Sequence, residues 1–167
     1  MGGHRTVRSS ALAAQLVHLD AVNIGGAGTF VIRQPVTRTQ LRAELERRLP
    51  FDARIVICDG REIARLVDRP FFAGLRVRRD TVRFVSVLSR SPRAVPSIPL
   101  SLPPNGRWLV RILARDGRFL IGLYRRQMKV ISCLGTLDRL FGVTVTTRNW
   151  NTVAAIASVV NDNPPIE

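Results

Sequence analysis

At 167 residues and 46% hydrophobic content the chain is long enough to bury a core in one compact unit or two small joined ones, and too apolar to be disordered. Its longest apolar stretches, Ala11 to Val17 and Val153 to Val160, fall short of a bilayer span, so we expect no transmembrane segment, no membrane partner and a cytoplasmic location. The net charge of +14 directs attention to phosphate-rich partners, although Lys129 is the only lysine among 26 basic residues, the mark of a GC-rich coding sequence that raises charge without shaping a binding face.

Arg5 and Arg8 precede Ala11-Leu12-Ala13-Ala14, but the apolar run ends at His18 and Asp20, too soon for a signal peptide. Met1 to Thr6 has the spacing of an N-myristoylation signal, with an ordinary chain start as the plainer alternative. Ser9 or Ser10 can cap a helix through His18 with Leu12 and Leu16 on one face. A short strand from Thr29 to Ile32 follows the turn glycines Gly25, Gly26 and Gly28. Thr37-Arg38-Thr39-Gln40 is a capping box that opens a helix with Leu41, Leu45 and Leu49 on one side, closed by Pro50. Arg54 to Cys58 is rich in strand formers, and Asp59-Gly60-Arg61-Glu62 is a second capping box for a helix through Val67, stopped by Pro70.

Val82 to Leu88 reads as a strand, after which five prolines between Ser89 and Gly106 forbid a central strand or an unbroken helix. This composition divides the chain into an N-terminal subdomain over 1–90, a proline-rich link over 91–106 and a C-terminal subdomain over 107–167. Arg107 to Ala114 and Arg118 to Arg125 flank Asp116-Gly117, a strong hairpin signal. Thr136 is placed to cap a short helix ending at Gly142, and Val143 to Val145 is extended. Asn149 or Asn151 caps a last helix in which Trp150, Val153, Ala154, Ala157 and Val160 share a face, and Asn161 to Glu167 reads as a frayed tail. Mixed helices, short strands and hairpins describe an α+β fold with mixed or antiparallel sheets and helices packed on one face.

Catalytic and metal chemistry find little support. Cys58 and Cys133 lie in apolar runs and read as buried thiols; with His4 and His18 they lack any zinc-ligand spacing. There is no G-x-S-x-G, and His18 near a helix end is better placed as a cation on the last carbonyls than as a base. The glycines come without G-K-[ST] or a strand-glycine-helix order, so no catalytic residue, metal or cofactor is assigned.

Anion binding is the best remaining chemistry. Arg148, Asn149, Asn151 and Thr152 surround a helix start, where free N–H groups favour a phosphate or carboxylate, the plainer alternative being that Asn149 caps the helix and Arg148 serves the interior. Two further basic groups are Arg76-Arg78-Arg79-Arg83 and Arg125-Arg126-Lys129, with Tyr124 as an aromatic that could stack a base. Arg107, Arg111 and Arg115 share one face of a regular strand, a stripe suited to backbone phosphates.

Thr147-Arg148-Asn149-Trp150-Asn151-Thr152-Val153, after Leu137 to Val143, resembles the C-terminal T-x-R-N-W-x-T-V pattern of the DUF1697 family, a group of mostly bacterial proteins. Gly28 to Ile32 with the helix to Leu49, and Arg54 to Cys58 through Phe71, are similar to that family's strand and helix blocks, so the resemblance covers most of the chain. Relatives usually carry a strand before R-G-I-N-V-G-G. This chain aligns from Gly2-Gly3, since a helix rather than a strand should follow those glycines, which speaks against Val22 to Gly26; it reads as a shortened member or one with a true start further upstream. The resemblance implies two small α/β subdomains with ferredoxin-like elements and no particular activity, substrate or cofactor. The leading functional expectation is a non-catalytic protein binding nucleic acid or another polyanion through an arginine-rich face. The alternatives are an enzyme or sensor for a small phosphorylated or carboxylated ligand at Arg148 to Thr152, and a protein-interaction module. Oligomeric state is left open.

Overall fold

The computed structural model describes residues 7–162. The stretches 1–6 and 163–167, with His4, the Met1 to Thr6 pattern, Gly2-Gly3 and most of the C-terminal tail, lie outside the described residues. Leu66–Val153 forms one compact unit, and the described chain on either side of it forms the other. The division falls within two helices, and segment 91–106 lies inside Leu66–Val153, where part of it pairs as a strand.

The flanking unit begins with α1 (Ser9–Gln15), which buries Leu12, and a single tight turn over Val17–Leu19. Asp20 then adopts a left-handed conformation (φ 50°), held by a two-pronged contact from Arg33 with Nε at 2.8 Å and Nη2 at 2.9 Å from the two carboxylate oxygens. That contact spans the hairpin of β1 (Ala21–Asn23) and β2 (Phe30–Ile32), whose end is closed by the Ile24 N–H donating to the Thr29 carbonyl at 2.8 Å. The capping box forms as expected at α2 (Arg38–Arg48): Gln40 N–H donates to Thr37 Oγ1 at 3.2 Å and Thr37 N–H donates to Gln40 Oε1 at 3.2 Å. Glu44 on this helix gathers His18 at 2.8 Å, Arg48 at 2.5 Å and Arg47. At α3 (Gly60–Val67) Asp59 N–H donates to Glu62 Oε2 at 2.9 Å, which is the Glu62 half of the second box, while the Asp59 carboxylate accepts from the Arg61 N–H at 2.9 Å rather than from that of Glu62.

Leu66–Val153 is built on β3 (Thr81–Leu88), β4 (Leu100–Leu102), β5 (Val110–Asp116), β6 (Phe119–Arg125) and β7 (Val145–Asn149). They form one antiparallel sheet in the order β4-β5-β6-β3-β7, which with the surrounding helices establishes the α+β class. The expected hairpin is β5-β6, joined by Gly117-Arg118 with Asp116 opposite Phe119 and positive φ at Gly117.

Directly opposed residues of antiparallel strands share a face, so the register sorts the side chains. One face carries Phe84, Leu88, Leu102, Val110, Ile112 and Leu120. These join Val130 of α4 (Val130–Gly135), Leu137 and Phe141 of α5 (Leu137–Phe141) and Val143 in a single core, each side chain contributing about 1.5–3 kcal/mol of transfer free energy. The other face carries Thr81, Arg83, Val85, Arg111, Leu123, Arg125 and Arg148. The last helix, α6 (Trp150–Asn161), follows β7 without a connecting loop.

Four local expectations need correction. Neither Ser9 nor Ser10 caps α1, whose N-cap is Arg8 with no side-chain hydrogen bond, and the α-helix stops at Gln15, short of His18. Arg54 to Cys58 forms no strand with any described residue, since β propensity produces a strand only where a partner edge is offered. Thr136 does not cap α5 through its side chain; its hydroxyl donates back to the Cys133 carbonyl at 2.7 Å, joining α5 to α4, a helix the apolar run Val130 to Cys133 concealed. Cys58 and Cys133 are half-buried rather than buried.

Candidate functional site

The two basic groups that the sequence separates by some forty positions meet at one end of the five-stranded sheet. Pairing of Thr81 with Arg125, and donation of the Arg126 N–H to the Asp80 carbonyl at 2.7 Å, bring the 76–80 loop alongside the end of β6. Asp80 is the hub. Arg125 Nη1 donates to its Oδ2 at 2.8 Å, Arg107 Nη2 stands 3.7 Å from the same oxygen, and Arg78 Nε stands 3.7 Å from Oδ1. One carboxylate therefore faces three guanidiniums, and exposed Arg79 and Arg126 add to the surplus. Burial raises the Asp80 pKa, but the hydrogen bond from Thr81 and the charge and hydrogen bond of Arg125, with Arg78 behind them, outweigh it and hold the carboxyl below its ordinary value.

The seven residues proposed as a basic face are not equivalent. Arg125 is only 7% exposed: its Nε donates to the Trp108 carbonyl at 2.9 Å and its guanidinium lies 4.3 Å from the Trp108 ring centroid. Arg111, half-buried, lies 4.7 Å from the same ring and donates to Ser101 Oγ at 3.2 Å. Both serve the architecture of the site more than its outer surface. Arg107, Arg126 and Lys129 are exposed. Tyr124 points to the opposite face, its ring centroid 5.7 Å from that of Phe84, so it offers no outward platform.

Arg115 separates from the stripe as well. Ile112 opposes Gly122 while Ala114 opposes Ile121, so Leu113 is an extra residue in the ladder and reverses the alternation beyond it. Arg115 consequently pairs with Leu120 on the face away from Arg111, beside the hairpin turn, where it donates to the Gly117 carbonyl at 2.9 Å.

The second candidate site is occupied by its own structure. Arg148 Nη1 donates to Thr146 Oγ1 at 2.9 Å and to the Thr147 carbonyl at 2.8 Å, and burial lowers the pKa of this guanidinium. Asn149 Oδ1 accepts from the Thr152 N–H at 2.8 Å and from the Thr152 hydroxyl at 3.0 Å, which is helix capping. Asn151 is exposed on the first turn of α6. Trp150 meets Phe72 edge to face at 5.0 Å, and Arg83 stacks on the Phe72 ring at 5.2 Å with its buried Nε finding no hydrogen-bond acceptor among the described residues.

Sequence reasoning missed Asp80 and Trp108. An acid directly after Arg78-Arg79 was the available sign, but only the pairing of β3 with β6 carries it to Arg125. Among the described residues no group of His, Cys, Asp or Glu is placed to hold a metal ion, and no helix is long and apolar enough to cross a membrane. Compared with protein-family models, with curated proteins and with solved structures, the chain matches none.

Proposed function

We propose that the protein binds a phosphate-rich polyanion, nucleic acid being the first such partner to try, through the arginine end of its five-stranded sheet. The observation that carries this is the convergence of Arg78, Arg107 and Arg125 on the single carboxylate of Asp80, with exposed Arg79 and Arg126 beside them. A cluster of that composition keeps a net positive charge after its internal pairing, and each phosphate it meets releases condensed counterions. Arg111 and Arg125, held against Trp108, brace the cluster while Arg107, Arg126 and Lys129 make outer contacts. A cytoplasmic setting and membership of the DUF1697-like group, supported by the Thr147 to Val153 run, belong to the same proposal.

Small-anion recognition at Arg148 to Thr152 is the weaker reading, because Arg148 and Asn149 direct hydrogen bonds at Thr146, Thr147 and Thr152. The test is fluorescence anisotropy against labelled single- and double-stranded DNA over a salt series. A linear fall of log K with log salt supports several phosphate contacts, and absence of DNA binding at low salt overturns nucleic acid as the partner.

A further inference from the structure

Met128 and Ile131 are 84% and 65% exposed, more than any other large apolar residue in Leu66–Val153. They stand three positions apart at the entry to α4, where the Ile131 N–H donates to the Met128 carbonyl, while Val130 between them turns into the core. Exposed Arg126 precedes them and exposed Lys129 lies between them, and the Asp80 cluster begins at the residue to which Arg126 is bonded. Two protruding apolar side chains beside a basic edge make an amphipathic corner.

We propose that this corner docks on an anionic lipid surface. Met128 and Ile131 enter the boundary between headgroups and acyl chains, and Arg126, Lys129 and Arg107 lie over the headgroup phosphates. The inference rests on the polyanion reading above and narrows it to one class of partner. Charge complementarity alone suits any polyanion, but a duplex offers phosphates at its rim and no apolar layer for Met128 and Ile131 unless bases are unstacked. An anionic leaflet offers both in the right order, charge outside and hydrocarbon beneath. Peripheral contact of this kind needs no spanning helix, and its electrostatic part acts within a Debye length, about 10 Å at 0.1 M salt.

The test is co-sedimentation with sucrose-loaded vesicles of phosphatidylcholine carrying a rising share of phosphatidylglycerol, in parallel with anisotropy on a fluorescein-labelled DNA duplex. Native protein is compared with the double variant Met128→Ser, Ile131→Ser and with Arg126→Glu, Lys129→Glu, each checked by thermal melting. We expect binding that grows with phosphatidylglycerol. The serine variant should lose about tenfold in vesicle affinity with duplex binding unchanged, and the charge-reversed variant should weaken on both. Vesicle binding that is indifferent to phosphatidylglycerol or to the serine changes overturns the inference. Duplex binding without vesicle binding overturns it and leaves the polyanion reading standing; binding to neither at low salt removes both.

Discussion

The ring of Phe84 rests where a side chain of Gly122 would be: a Cβ built on Gly122 falls 2.8 Å from Phe84 Cε1 and 2.9 Å from Cζ, and it overlaps the Arg111 carbonyl oxygen on the neighbouring strand. Gly122 faces Phe84 across one ladder and Ile112 across the other, so the missing side chain leaves room for the fully buried Phe84 ring over the middle of the sheet. Backbone cannot yield as a flexible side chain can. Gly122→Ala should therefore cost about 3 kcal/mol, read as a lowered urea midpoint.

Asp80→Asn should separate stability from binding. Loss of the carboxylate leaves the buried Arg125 guanidinium without its ion-pair partner, so the urea midpoint falls. The same change removes the one negative charge at the cluster, so affinity for DNA at low salt should rise and the salt slope steepen. A variant both less stable and weaker in binding would contradict the assignment.

Acid should act through the same residue. A carboxyl whose pKa is lower folded than unfolded adds stability above its unfolded value and loses it as pH falls through its folded value. Melting temperature of the native protein should decline between about pH 5 and about pH 2, and Asp80→Asn should lack part of that decline.

Arg107→Ala and Arg126→Ala should each reduce the slope of log K against log salt by about one, whereas Arg115→Ala should leave it unchanged. The contrast follows from the place of Arg115 beside the hairpin turn, at the far end of the strand from Arg107, and from the extra residue at Leu113, which turns it to the other face.

At the start of α6, Asn149→Ala should destabilise by about 1 kcal/mol because the Thr152 N–H loses its acceptor. Arg148→Ala should cost about 1–2 kcal/mol with unchanged binding to DNA and to inorganic phosphate, both measured by titration.

Local codes were legible in the chain; tertiary assignments were not. Thr37-Gln40 and Asp59-Glu62 announce their helices because the cap contacts close within four residues, and Gly117 announces the hairpin because few residues tolerate its backbone angle. The bulge at Leu113 leaves no trace in a run that spaces Arg107, Arg111 and Arg115 four apart among apolar residues, and it decides which arginines act together. Arg148 looked like ligand chemistry because the sequence shows its charge but not the Thr146 hydroxyl and Thr147 carbonyl it turns to. Asp80 acquires its meaning only from a strand pairing that closes a loop of more than forty residues.

The chain's two tryptophans sit in different surroundings, Trp108 under two guanidiniums and Trp150 perpendicular to the phenyl ring of Phe72. Their emission is thus a built-in pair of gauges. With Trp150→Phe the remaining signal comes from the indole that Arg111 and Arg125 hold, and any partner that draws on those charges must change its colour or brightness.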